Sequence, residues 1–211
     1  MNLMNIFKKI IINPFSVLII FLFFSTSVFS QDDLFQILDE ESEKSKTELL
    51  PKRMIFTQRI LWGEKGLMRK IKWSPLNIEQ REKELRIRRK MLKAHQAIGF
   101  VTLAGFIAQG IIGVQLYNGN YSNYKFHKTV GHLTSISYFT GASLSLFSPP
   151  PLINKKIKGF SSAKAHKYLA TVHFSSMVMT NIFSNSNRKL HKLSAYTAFG
   201  SYAAAILVFK F

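Results

Sequence analysis

The sequence predicts an all-α membrane protein: a four-transmembrane-helix up-and-down bundle, preceded by a signal peptide and a polar, partly helical N-terminal segment. Three observations carry that prediction. Beyond residue 93 the chain is mostly apolar and is cut by short polar or basic turns into stretches of about 20–25 residues, the length that crosses a hydrocarbon core of about 30 Å. All 11 acidic residues lie at or before Glu84, so residues 85–211 hold no carboxylate side chain. Each apolar stretch opens on one short pattern: Lys93-Ala-His95-Gln, Lys125-Phe-His127-Lys, Lys164-Ala-His166-Lys and Lys189-Leu-His191-Lys.

The elements follow in chain order. Residues 1–30 have the three parts of a secretory signal: Lys8 and Lys9, an apolar core from Ile10 to Phe24, and the small-residue end Val28-Phe29-Ser30. Residues 31–90 form the polar segment. Its first part, with Asp32, Asp33, Asp39, Glu40, Glu41, Glu43 and Glu48, is acidic and either forms a short helix around Leu34–Leu38 or stays unstructured. Residues 52–73 interleave Arg53, Arg59, Lys65, Arg69, Lys70 and Lys72 with Phe56, Ile60, Trp62, Leu67, Ile71 and Trp73. Such a stretch is too charged to span, and it reads either as an interfacial amphipathic segment or as a loop packed on the bundle. Ser74-Pro75-Leu76-Asn77 is a break with a helix cap. A charged helix then starts at Ile78, supported by Glu79/Lys83, Glu82/Arg86 and Glu84/Arg88 one turn apart, and runs into the first span.

The transmembrane domain occupies residues 91–211. Its spans fall at about residues 92–117, 126–147, 162–183 and 190–209, separated by an Asn-rich turn, a Pro149-Pro150-Pro151 break with a basic loop, and the tight turn Asn185-Ser186-Asn187. Gly and Ala are dense in the spans, which lets membrane helices approach closely. No span has the continuous polar face of a soluble amphipathic helix.

Composition narrows the chemistry. The net charge of +18 suggests an anionic partner, but the Lys and Arg of the apolar half sit at span ends, where they meet lipid headgroups or carboxylated cofactors and not nucleic acid. The absence of cysteine excludes disulfides, iron–sulfur clusters, thiolate ligation and covalent haem attachment. The absence of carboxylates after Glu84 excludes carboxylate hydrolysis and a Ser-His-Asp triad within the bundle.

What remains is imidazole. Each patterned His has a small residue one turn on, at Gly99, Gly131, Ala170 and Ala195, which leaves room for a flat, bulky group on the same face. Helices joined by short turns alternate in direction, so His95 and His166 share one level and His127 and His191 the other. In a four-helix ring these are diagonal pairs, and each can clamp one haem iron through two imidazoles. Lys93, Lys125, Lys164 and Lys189 stand beside them as partners for the propionates. Two other histidines complete the set: His132, an alternative to His127, and His173, deeper in the third span, an alternate ligand or a core histidine on a quinone or proton route.

The four Lys-x-His patterns at alternating span starts resemble the cytochrome b561 family of transmembrane di-haem proteins, over roughly residues 90–211. The resemblance implies a four-helix core holding two b haems through His95/His166 and His127/His191, with a single haem as the alternative. It implies transmembrane electron transfer, hence an oxidoreductase. The chain departs from the many six-span members and lacks room for an extra β domain, so the donor and acceptor do not carry over; a quinol or a periplasmic redox partner fits the class. The rivals are a single-haem quinol-linked or ferric-reducing subunit, a haem-free membrane scaffold and a His-rich metal transporter. The signal places the N-terminal segment outside the cytoplasm, in a bacterial inner membrane, although the Lys/Arg bias of the loops points the other way.

Overall fold

A computed structural model describes residues 49–152 and 161–208, which belong to one compact unit. The signal (1–30), the acidic stretch (31–48) and the basic loop after Leu152 lie outside the described residues. Among those described the chain is all-α: two short helices, α1 (Phe56–Trp62) and α2 (Leu67–Lys70), then four long ones, α3 (Ile78–Tyr117), α4 (Tyr124–Leu146), α5 (Ser162–Phe183) and α6 (Arg188–Val208).

Helix α3 starts where the sequence marks it. The Asn77 side chain accepts from the Gln80 N–H at 2.9 Å, satisfying one of the amides that a helix start leaves without a partner. With no proline inside, α3 then runs unbroken for 40 residues, so the charged helix and the first span are one element. It turns back at Gly119, whose φ of 91° only glycine adopts without strain.

The four long helices close a ring. Thr102 and Ser137 share a hydrogen bond at 2.8 Å between α3 and α4. Ser135 donates to Asn181 Oδ1 across α4 and α5, and Thr180 donates to Ser194 across α5 and α6. The Tyr202 hydroxyl of α6 donates to the Gly99 carbonyl of α3 at 3.1 Å. This order makes α3 diagonal to α5 and α4 diagonal to α6. The centre is aromatic: Phe106, Tyr138, Met177 and Ala198 are buried, with Phe139, Phe199 and Tyr202 packed against them. At Gly105 the α3 and α4 backbones come so close that a β-carbon would lie 2.5 Å from Thr134 Oγ1.

Three features differ from the sequence expectation. Only α3 is, among the described residues, long and apolar enough to cross a membrane by length and composition. The hydroxyl, amide and imidazole side chains of α4, α5 and α6 dilute their apolar character. Those helices also expose hydroxyls such as Thr129, Thr171 and Thr197, each bonded to the carbonyl one turn back, where the sequence suggested no polar face. Finally, Glu84 does not pair with Arg88 one turn on. Its carboxylate is buried and accepts from Arg69, Arg81 and Ser74. Glu79 and Lys83 do pair, at 2.8 Å on the surface.

Candidate functional site

The first turns of α4, α5 and α6 and the middle of α3 deliver the four histidines to two levels. His127 opens α4 and His191 opens α6, at the end where α3 turns into α4 and α5 turns into α6. Their rings meet across the diagonal with centres 6.3 Å apart and planes at 82°. His95 and His166 lie at the opposite end, marked by the late residues of α4 and α6 that they touch: His95 Nδ1 is 2.8 Å from the Gly141 carbonyl and His166 Nδ1 is 3.2 Å from the Ala205 carbonyl.

The carbonyl contacts fix the proton. A carbonyl oxygen can only accept, so Nδ1 carries the hydrogen and Nε2 keeps its lone pair. His191 is held the same way, with Nδ1 2.9 Å from the Thr180 carbonyl. Three of the four patterned imidazoles thus donate Nδ1–H to the backbone of a neighbouring helix, the outer-shell arrangement that orients metal-bound histidines. His127 is the exception: its Nδ1 is buried and has no hydrogen-bond partner. Gly113 lies flat against that ring, for a β-carbon there would reach His127 Cε1 at 3.4 Å. Gln109 braces the start of α4 by donating to the His127 carbonyl at 3.0 Å.

The remaining histidines part company with these. His132 is exposed on α4, turned away from His191, so the inward ring at this level is His127. His173 lies between the two levels. Its Nδ1 is 2.6 Å from the Tyr138 hydroxyl, and its ring packs 5.0 Å from Tyr202. It behaves as a hydrogen-bonded core histidine.

The small residues after the histidines do a different job from the one expected. The space beside Gly99 is taken by Tyr202, whose hydroxyl would lie 3.5 Å from a β-carbon there, and the space beside Gly131 by Gln109, at 3.4 Å. Lys93, Lys125, Lys164 and Lys189 are all exposed, the last three in the first turns of α4, α5 and α6 and Lys93 in the middle of α3. Lys125, with Tyr121, Ser122 and Tyr124, lines an open surface cavity of about 540 Å³. Nearby, Lys192 Nζ sits 3.4 Å above the Tyr117 ring, and Arg188 donates to the Leu116 carbonyl and the Tyr121 hydroxyl.

A second polar centre escaped the sequence reading. Arg69 of α2 and Arg81 of α3 both grip Glu84, and Arg81 also reaches the carbonyls of Leu49 and Pro150. Arg88 donates to Ser148 Oγ and the Pro149 carbonyl. Burial works to raise the Glu84 carboxyl, but the hydrogen bonds from Arg69, Ser74 and Arg81 outweigh it and hold the group below its ordinary range. Burial, helped by the positive charge of Arg81, pulls Arg88 down to about 10. The trace in the sequence was Ser148-Pro149-Pro150-Pro151: prolines have no N–H, and their carbonyls are natural partners for arginine.

The donor set decides which metal chemistry suits the bundle. Among the described residues no three His, Cys, Asp or Glu side chains gather as a metal cage. Two imidazoles leave the other positions of a metal to further ligands, and a planar macrocycle is one way to supply them. An imidazole nitrogen about 2 Å from a metal, and about 1 Å from its own ring centre, puts two axial rings roughly 6 Å apart. The 6.3 Å between His127 and His191 fits that spacing. No family model, no curated protein and no solved structure matches the chain.

Proposed function

We propose that this chain is a membrane-embedded b-type cytochrome that carries electrons through haems held by His127/His191 and His95/His166, in the manner of the cytochrome b561 family. The observation that carries the reading is the shared tautomer: His95, His166 and His191 each give Nδ1–H to a backbone carbonyl, so each presents a lone pair at Nε2. A haem held by these imidazole pairs would supply one-electron transfer.

The chain's own residues do the rest. The Gly141, Ala205 and Thr180 carbonyls orient the rings, and Gln109 fixes the helix start that carries His127. The exposed lysines of the Lys-x-His patterns supply cations for propionates. Phe106, Tyr138 and Tyr202 keep water out of the space between the two levels. Donor and acceptor are a quinol or a periplasmic redox protein by class.

Four membrane spans are part of this proposal. It is supported by the apolar side chains that face outward from every long helix, such as Val101, Ile111, Leu133, Ile136, Val172, Ile182 and Leu207. Hydroxyls bonded within their own helix add little polarity to such a surface. The N-terminal segment lies outside the cytoplasm of a bacterial inner membrane, and protease access to tags at Gln31 and Phe211 tests that orientation: two protected ends in sealed cells overturn it.

The deciding experiment is a reduced-minus-oxidised visible spectrum of the protein purified in detergent, with haem quantified per chain. A b-type spectrum with two haems per chain is the expected result. One haem favours the single-haem reading, with His127/His191 as its pair, since only that pair is seen ring to ring. No haem after expression with ample supply overturns the cytochrome and leaves a haem-free scaffold, the reading favoured by the aromatic packing that already fills the centre.

A further inference from the structure

Helix α1 is inside out. Its i, i+4 pair Gln58 and Trp62 is buried against the bundle, while the apolar pair Phe56 and Ile60 faces outward, Phe56 at 75% exposure. Burial of Trp62 holds this short helix on the bundle, but phenylalanine and isoleucine turned to the outside gain nothing from that choice in water. The pattern continues through α2 and the turn after it: Leu67, Ile71 and Trp73 are exposed, Trp73 at 73%. Arg59, Lys65, Lys70 and Lys72 are exposed among them.

This surface is rigidly mounted. Thr57 Oγ1 donates to the Leu146 carbonyl at 2.6 Å and the Trp62 indole N–H to the Phe147 carbonyl at 2.9 Å, which ties α1 to the end of α4. Arg69 ties α2 to Glu84 of α3 and to the Trp62 and Ser74 carbonyls. The apolar–basic face therefore stands at the end of the bundle that carries His95, at the level where α4 stops.

We propose that α1, α2 and the Ile71–Trp73 turn form a platform that seats on an anionic lipid surface, with Phe56, Ile60 and Trp73 entering the headgroup–acyl boundary and Lys70 and Lys72 meeting lipid phosphates. The choice of lipid over a protein partner follows from continuity and charge. The platform adjoins the outward apolar faces of the long helices, and its cations are spaced among aromatics as in segments that lie in the interfacial plane. The inference rests on the membrane reading and is independent of haem.

The chain has no cysteine, so one introduced thiol is unique. Nitroxide labels at Phe56→Cys, Ile60→Cys and Trp73→Cys are compared with Val101→Cys on the outer face of α3 and Asn187→Cys in the α5–α6 turn. The protein is reconstituted in phosphatidylcholine bilayers with and without phosphatidylglycerol. Accessibility to oxygen against a water-soluble nickel chelate reports depth, and far-UV circular dichroism checks that each variant keeps its helices.

The expected result is Val101→Cys in the hydrocarbon, Asn187→Cys in water, and the platform labels about 5–10 Å into the boundary. Lys70→Gln with Lys72→Gln makes the platform labels shallower only where phosphatidylglycerol is present. Platform labels as nickel-accessible as Asn187→Cys, with Val101→Cys in hydrocarbon, overturn the platform alone. A water-like Val101→Cys overturns the membrane reading and the platform with it. Spin–spin broadening between platform labels at full labelling, lost on dilution with unlabelled chain, assigns the surface to a second copy and overturns the proposal.

Discussion

His127 and His191 stand edge to face with ring centres 6.3 Å apart, delivered from the first turns of two diagonal helices. His191 is held at Nδ1 by the Thr180 carbonyl, whereas His127 has a buried Nδ1 with no partner. The pair is thus held by a hydrogen bond on one side and by packing alone on the other.

On the proposed cytochrome reading, replacing either ring would remove the haem that the pair holds. His127→Ala and His191→Ala are each expected to lower bound haem from two per chain to about one, by the loss of one axial position. His132→Ala leaves the content unchanged, because that ring is exposed and turned outward. Pyridine haemochrome quantification on the purified variants reads all three, and equal loss in His132→Ala contradicts the assignment.

Glu84 is the only acidic group in the clamp. Glu84→Gln leaves Arg69 and Arg81 buried without a counter-charge, and removal of one partner from such a site costs roughly 3–5 kcal/mol. Thermal unfolding followed by tryptophan emission in a Trp73→Phe background, where Trp62 is the one emitter, is expected to move to lower temperature, because Trp62 packs where the clamp holds α1 and α2.

The same carboxyl sets an acid limit. A carboxyl held below its ordinary value in the fold contributes stability that is fully present above the unfolded value, about 4.3. That stability is lost as pH falls through the lower folded value. Unfolding temperature is therefore expected to be flat in this respect above about pH 5 and to drop below pH 4, with the drop reduced in Glu84→Gln.

Close approach of α3 and α4 makes Gly105 intolerant of a side chain. The β-carbon of Gly105→Ala would press on Thr134 Oγ1, which is itself bonded to the Val130 carbonyl at 2.7 Å. Overpacking of this kind costs about 1–3 kcal/mol. Thr134→Ala in the same chain is expected to recover most of it, and denaturation of the single and double variants measures the recovery.

Tyr138→Phe removes the partner of a buried imidazole. Leaving His173 Nδ1 unsatisfied is expected to destabilise by about 1–3 kcal/mol while haem content holds. A fall in haem with stability intact would make His173 a ligand.

Much of this arrangement was legible in the chain. Helix starts were announced by Asn77 and by three of the four Lys-x-His patterns, the one at Lys93 falling inside α3, and the alternation of direction followed from short turns. The inward choice of His127 over His132 needed the helix phase, which five residues of spacing alone does not settle. The buried clamp was hidden because i, i+4 charge pairing is a rule for solvated helix faces. Once α2 packs over the start of α3, Glu84 finds Arg69 and Arg81 before Arg88. Gly99 and Gly131 signalled clearance correctly but not its occupants, since Tyr202 and Gln109 reach them from other helices. Hydroxyl content, spread thinly through α4, α5 and α6, decided that these helices read as less apolar than α3.

Helix α3 is also a torsion rod. Its 40 residues make a shaft about 60 Å long, roughly twice the hydrocarbon thickness, with no proline to act as a joint. Arg81 and His95 ride on it about 21 Å apart. With no joint between them, the helix phase fixes the direction in which His95 leaves the shaft relative to Arg81, which grips Glu84 and the proline carbonyls. The bearing of an imidazole deep in the bundle is therefore set in part by bonds made outside it, at the wet end of the shaft.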